Sequence, residues 1–446
     1  MRRLFLVLCL SSAFALAILC VSTSAQPASI GVQQPSAKAP DEAVVQRQSV
    51  TAYTLSPEKY EKAIAYSRAT YRLHFLGAAY SLILLLIIIS LRIAPAFRDR
   101  AERVSRRRFV QAVVFVPALL IIFDLLKSPL DAYRHHLDVK YGLSIQGWGS
   151  WAWDWSKGEI LKVILASVLA YILYGVIRRS PRRWWLYFGL ASVPILVFLT
   201  FISPVIIEPL FYKYDPLAAT QPALVEQIEK EVQHAGLSIP RERMFEMKAS
   251  EKLNAIDAYV TGFGSSTRIV VLDTTVAKMT SSETLFVVGH EIGHYVLSHI
   301  PKGIAFSGAL IIVLLLLVHL SINRTLESKH RSWAIRGVDD WASLPALMLF
   351  VYLFFFLAEP ATNTFSRYQE HQADVYGLEV IHGLVPDSSE TAAEAFQTLG
   401  EVDLADPNPS AFIKVWLLSH PSLADRLTFA REYDPWGKGQ PPMFVR

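Results

Sequence analysis

Residues 287–299 read "VVGHEIGHYVLSH", and residues 304–320 read "IAFSGALIIVLLLLVHL". The first stretch sets His290 and His294 four residues apart around Glu291. On a helix that separation stacks two side chains on one face. Two neutral imidazoles so placed can bind one metal ion, and the glutamate beside them can take a proton from water. The local sequence suits a helix: "TSSETLFVVGHEIGHYVLSH" offers Ser282 and Glu283 as capping residues and has no proline before Pro301. The second stretch approaches the roughly 20 apolar residues that a helix needs to cross a ~30 Å hydrocarbon core. A metal-binding helix running into a membrane segment predicts a mainly α, polytopic membrane protein with chemistry at one boundary.

The rest of the chain agrees. It has 446 residues, 52% hydrophobic and only 18% charged. The apolar residues fall in blocks at 73–93, 109–126, 160–177, 184–207, 304–320 and 344–358. The net charge of +4 is too small, and too clustered in short loops, to suggest a nucleic-acid partner. Residues 1–25, "MRRLFLVLCLSSAFALAILCVSTSA", read as a signal peptide or a first membrane helix. Residues 26–55 read as a disordered linker. There follow N-terminal membrane helices over 56–207, a domain with the HEIGH helix over 208–303, expected to be the catalytic (protease) domain, and two further membrane helices over 304–358. A C-terminal part of the protease domain occupies 359–446. Both cysteines, Cys9 and Cys20, lie in the leader, so a metal site must use histidine and carboxylate.

Short loops rich in Lys and Arg stay in the cytoplasm. Arg98, Arg100, Arg103, Arg106, Arg107 and Arg108 form one such loop, Arg178, Arg179, Arg182 and Arg183 a second, and Arg324, Lys329, Arg331 and Arg336 a third. Alternation of the spans then places all three inside and the HEIGH helix on the exported, periplasm-like side.

The third ligand decides the class of metal site. Leu297 and Ile300 stand where a metzincin needs Gly and His, so that class is out. "FSRYQEHQADVYGLEVI" offers Glu370 on a later helix, with Asp374 one turn further along the same face. Glu370 completes a His₂Glu set for one Zn²⁺ per chain, and Asp374 can accept the N–H of a ligating histidine. His371 points about a quarter-turn away. Glu359, next to Pro360, and Glu327, in the third basic loop, are the rival carboxylates.

"VVGHEIGHY", a hydrophobic span and then "SRYQEHQAD" together resemble the type I CAAX prenyl endopeptidases, integral-membrane gluzincins. "LSPEKYEKAIAYSR", "LLKSPLDAYRHHLDVKYGLS", "PLFYKYDPL", "RIVVLDTTV" and "SHPSLADRL" extend the likeness over most of the chain after residue 55. The resemblance implies about seven helices around an intramembrane chamber, with a gluzincin-like zinc protease domain and a small β-hairpin. It also implies that His420 and Arg426 face the zinc, where they would steady an oxyanion. The hairpin "AIDAYVTGFGSSTRIVVLD" has a free edge that could pair with an extended substrate. Counted back from Gly262, the family's Asn-Ala-Tyr motif falls on Asp257, Ala258 and Tyr259; Asn254-Ala255 is the other register.

The expected function is that of a membrane zinc endopeptidase, with Glu291 as the proton shuttle and peptide or protein substrates, membrane-associated or lipidated. The alternatives are an envelope quality-control protease without a prenyl substrate and a non-hydrolytic membrane chaperone or scaffold with structural zinc. A transporter reading finds no matched pair of Gly/Pro-broken helices in the two halves.

Overall fold

The structure, a computed structural model, describes residues 52–445. The leader, its two cysteines and most of the linker lie outside the described residues. Among the described residues, six helices are long and apolar enough to cross a membrane. The first four are α1 (Pro57–Ser90), α2 (Arg108–Lys140), α3 (Trp148–Arg179) and α4 (Trp184–Ile202). A seventh span, expected from the leader, would fall among residues 1–51. The helices outrun their apolar blocks. α2 has 33 residues, about 50 Å at 1.5 Å per residue, against a ~30 Å core. Its polar second half therefore projects toward the cap described next.

After α4 the chain builds a cap. Strands β1 (Tyr214–Pro216), β2 (Met244–Met247), β3 (Ala258–Thr261) and β4 (Arg268–Leu272) form one sheet in the order β1-β2-β4-β3. β2 and β4 are parallel and the other two pairs antiparallel, which leaves β3 at an edge. Helices α5 (Pro222–His234) and α6 (Ser281–Val296) pack into the cap core through Val225, Ile228, Phe286, Val288 and Ile292. α6 is the HEIGH helix. Its N-cap is Thr280 rather than Ser282: Thr280 Oγ1 accepts from the Glu283 N–H, and Glu283 Oε2 accepts from the Thr280 N–H at 2.7 Å. That capping box satisfies two donors that would otherwise be orphaned at the start of the helix.

α6 does not run on to Pro301. It stops at Val296, Ser298 takes a left-handed conformation (φ 56°), and α7 (His299–Trp333) starts afresh as the next span. The sixth span is not short either. α8 (Leu344–Val380) is a single helix of 37 residues through Pro360, carrying both the apolar block and Glu370 with Asp374. Helices α9 (Ser388–Val402) and α10 (Leu423–Glu432) close the cap core. Residue 53, in the expected linker, belongs to that core: Tyr53 is buried and its hydroxyl donates to the Ala405 carbonyl at 3.1 Å.

The three arginine-rich connections meet at one end of the bundle, opposite the cap. Arg98 pairs with buried Asp340 at 2.6 Å, Arg336 with Glu102 at 2.8 Å, and Arg92 Nε donates to the Ser332 carbonyl at 2.9 Å. The Arg178 guanidinium lies 5.7 Å from the Trp341 ring, whose Nε1–H donates to Gln111 at 3.1 Å.

Candidate active site

α6 and α8 cross closely because glycines line the crossing. A Cβ on Gly289 would lie 2.5 Å from Glu231 Oε1 and 2.6 Å from Val380 Cγ1; one on Gly293 would lie 2.9 Å from Tyr376 Cβ. The close crossing brings Glu370 onto the histidine face of α6. Its carboxylate is buried and sits 3.2 Å from His290 Nε2, 3.6 Å from His294 Nε2 and 3.1 Å from His420 Nε2. The two Nε2 atoms of His290 and His294 are 3.3 Å apart. Potential ligand atoms of His290, His294 and Glu370 all lie within 4.8 Å of one another.

This donor set fits a metal ion. His290 Nδ1 faces Asp374 Oδ1 at 2.9 Å, so the neutral ring carries its proton there and turns a lone pair at Nε2 toward Glu370. Lone pairs on nitrogen and carboxylate oxygens converging in a buried space repel unless a cation lies among them. Two imidazoles and one carboxylate are the ligands of open, catalytic metal sites in which a fourth position stays free. Glu291, next along α6, is buried beside the set.

Arg426 is bound to the Asp374 carboxylate beside the ligand set. Its Nε and Nη2 donate to Asp374 at 2.9 and 2.5 Å, and its guanidinium stacks 4.4 Å from the Phe396 ring. With its fork committed to Asp374, Arg426 acts through that carboxylate on His290. His420, by contrast, reaches the ligand set itself, with Ser419 Oγ at 3.0 Å from its Nδ1. The segment before it is fastened to α8. Arg367 donates to the carbonyls of Lys414 at 2.8 Å and Leu418 at 2.6 Å, and Asn363 donates to that of Trp416. Glu359, the rival carboxylate, is occupied by His74 Nε2 at 2.9 Å and the Trp416 indole at 3.0 Å. Glu327 is exposed on α7, and His371 is exposed with its ring edge-on to Phe429.

The hairpin is tied to α6. Tyr295, next to His294, accepts from the Thr267 hydroxyl at 3.1 Å and from the Gly264 N–H at 3.3 Å. Leu272 N–H bonds to the Asp257 carbonyl at 3.2 Å, so the alternation of an antiparallel pair directs the backbone groups of Ala258 and Val260 toward the open edge. The side chains of the expected trio are not on that edge. Ala258 is buried, and the Tyr259 hydroxyl donates to Glu208 at 2.7 Å. Burial, with the Glu208 charge beside it, pushes that phenol well above its usual value, so it remains a donor. The other register is tied down too: Asn254 Nδ2 donates to the Gly142 carbonyl at 2.9 Å. Sequence reasoning missed His299, whose Nδ1 lies 2.9 Å from His294 Nδ1, and Gln372 behind it; their only sequence signal is proximity to the two motifs.

Comparison with known proteins identifies the lineage of this arrangement. Residues 218–434 match peptidase family M48, and residues 43–213 match the CAAX prenyl protease N-terminal domain of five membrane helices. An uncharacterized metalloprotease of Bacillus subtilis, YhfN, is 34% identical over 88% of this chain and 90% of its own. The chain belongs to peptidase family M48. It is a multi-pass membrane metalloprotease, a hydrolase of peptide bonds. CAAX prenyl protease 1 of Saccharomyces cerevisiae is 27% identical over 84% of this chain and 86% of its own. The crystal structure of Ste24p from S. mikatae shares the fold, with a TM-score of 0.72 over 96% of this chain and 99% of that one, at 23% identity.

Proposed function

We propose that this M48 chain is a zinc endopeptidase that cuts membrane-associated polypeptide tails at the cap end of its bundle. The observation that carries this reading is the convergence of His290, His294 and Glu370 beside Glu291, with the HEIGH helix packed against the edge strand of the sheet. His290, His294 and Glu370 would hold the zinc, which would acidify water and polarise the scissile carbonyl. Glu291 takes the water proton and passes it to the leaving amine. His420 donates from Nε2 toward the charge that develops on the carbonyl oxygen, while Asp374 and Arg426 hold His290 in its ligating tautomer. The outward backbone groups of Ala258 and Val260 align the substrate as an added strand. Several relatives are named for CAAX prenyl proteolysis, and a cap joined to a membrane bundle suits a substrate anchored by a lipid or by its own apolar segment. Glu291→Gln should keep its zinc and lose hydrolysis by about 10²–10⁴-fold, because it removes a base and no ligand. In native membranes the same variant should retain the tails it no longer cuts. Near-wild-type cleavage by the purified variant would refute the mechanism.

The active site faces away from the cytoplasm in this reading. The gathering of the arginine-rich connections at the end opposite the cap supports it, since such loops are held inside. With Cys9 and Cys20 changed to serine, a cysteine at exposed Lys230, on the cap, should react with a membrane-impermeant thiol reagent in intact cells. One at exposed Ser332 should react only after the membrane is opened. The reverse labelling would put the site in the cytosol.

A further inference from the structure

Asp374 fixes the proton of His290, but His294 turns its Nδ1 to a different kind of partner, the Nδ1 of His299 at 2.9 Å. Two ring nitrogens at that distance share one proton, and the question is which ring owns it. The far side of His299 answers it. Its Nε2 lies 3.2 Å from Gln372 Oε1, an atom that can only accept, so the His299 proton sits on Nε2. In this amide orientation the other end is also satisfied, with Gln372 Nε2 donating to the Tyr368 hydroxyl at 3.3 Å. A neutral His299 therefore offers a lone pair at Nδ1, and the shared proton belongs to His294 Nδ1. This leaves the lone pair of His294 on Nε2, beside His290 Nε2 at 3.3 Å and Glu370 Oε1 at 3.6 Å. The opposite sense, with His299 donating from Nδ1, would put the His294 proton on Nε2 and fill the position a ligand must keep open.

We infer that His299 is a positioning residue for the metal centre: relayed from Gln372, it selects the His294 tautomer whose Nε2 can ligate. The placement is built into the fold. His299 is 3% exposed, and its carbonyl accepts from Gln369 Nε2 at 3.1 Å. It is also the first residue of α7, just past the left-handed Ser298. α8 thus supplies an orienting group to both histidines: Asp374 directly to His290, and Gln372 through His299 to His294. Outer partners of this kind typically change metal affinity 10–100-fold when removed.

The inference rests on the metal-hydrolase reading, and its test separates the two. Full-length protein in detergent is stripped with a chelator, and Zn²⁺ affinity is read by competition with a chromophoric chelator. The visible spectrum of the Co²⁺-loaded protein reports ligand geometry. His299→Leu removes the acceptor and should weaken Zn²⁺ binding about 10–100-fold, with an altered cobalt spectrum. His299→Asn places Oδ1, an acceptor, where Nδ1 stood, and should restore most of the affinity and the wild-type spectrum. Gln372→Leu, half-buried and safer for folding, should lose affinity in the same direction. Wild-type affinity in His299→Leu or Gln372→Leu would overturn the inference, as would a His299→Asn variant as weak as His299→Leu. His290→Ala is the control for the parent reading: if wild type binds Zn²⁺ no better than His290→Ala, the metal site itself is wrong.

Discussion

Gly293→Ala separates fold stability from site geometry. In a helix interior alanine is favoured over glycine by roughly 0.5–1 kcal/mol. At position 293 the new methyl carbon would stand 2.9 Å from Tyr376 Cβ, 3.0 Å from Cγ and 3.1 Å from Cδ1. Carbon–carbon contacts settle at about 3.5–4.0 Å, so a gap of about 0.6–1 Å has to open. Tyr376 is buried, and its Cβ is bonded directly to the α8 backbone, so no rotamer change relieves the contact. The helices themselves must part. Overpacking of this kind costs about 1–3 kcal/mol, partly offset by the helix preference, for a net destabilisation of about 0–2.5 kcal/mol. A metal site tolerates much less: its ligand distances hold within about 0.2 Å. α6 carries His290 and His294 while α8 carries Glu370, so the displacement falls directly on the ligand set. The variant should melt below wild type by about 2–4 °C for each kcal/mol lost, and bind Zn²⁺ at least about tenfold more weakly, about 1.4 kcal/mol. Thermal unfolding of the apo proteins and chelator competition on the same preparations read the two quantities. A Gly293→Ala protein with wild-type zinc affinity would refute the claim that this crossing sets the site.

Glu370→Ala should lower zinc occupancy, while Glu359→Ala, which releases His74 and Trp416, should leave it largely intact; metal analysis of both purified variants checks this, and the reverse pattern would reject the ligand set. Glu231 is fully buried, and among the described residues neither of its carboxylate oxygens has a hydrogen-bond partner, so burial raises its pKa well above the usual value. The folded chain then keeps a proton that the unfolded chain releases above about pH 4.3, and stability falls with rising pH by up to about 1.4 kcal/mol per unit. Glu231→Gln should remove that slope and gain on wild type from about pH 5 toward about pH 8; parallel melting curves would exclude Glu231 as its source.

What the sequence made legible is what depends on local spacing. His290 and His294, and Glu370 and Asp374, are each four apart on their own helices, and a period of 3.6 puts each pair on one face without knowledge of the rest. His299 was hidden for the same reason. Five residues past His294 on an unbroken helix, it would point about 140° away from the ligand face. Only the left-handed Ser298 brings it back, and no residue preference announces a serine in that conformation. For Arg426, a resemblance carries the residue but not which neighbour takes its hydrogen bonds; the buried Asp374 carboxylate holds its fork. The partner of Tyr259, Glu208, comes from the short turn that follows α4, a long-range contact that strand periodicity cannot supply.

The division between membrane part and protease part, drawn in sequence at 303 and 358, has no counterpart in the helices. α7 crosses the first boundary and α8 the second. Leu344, Ala346, Leu347 and Met348 pack in the bundle core, whereas Tyr376, Leu378 and Val380 of the same helix pack in the cap core. Glu370 lies between them. The helix stays continuous through Pro360, although proline removes one ladder hydrogen bond and crowds the carbonyl four residues back, so its two ends are joined in one element anchored in two cores. Packing of the span within the bundle therefore helps set the position of Glu370 against His290 and His294, which are fixed to the cap. The geometry of the metal set is thus a property of the whole chain, and the cap sequence by itself, with every candidate ligand present, would leave Glu370 held from one side.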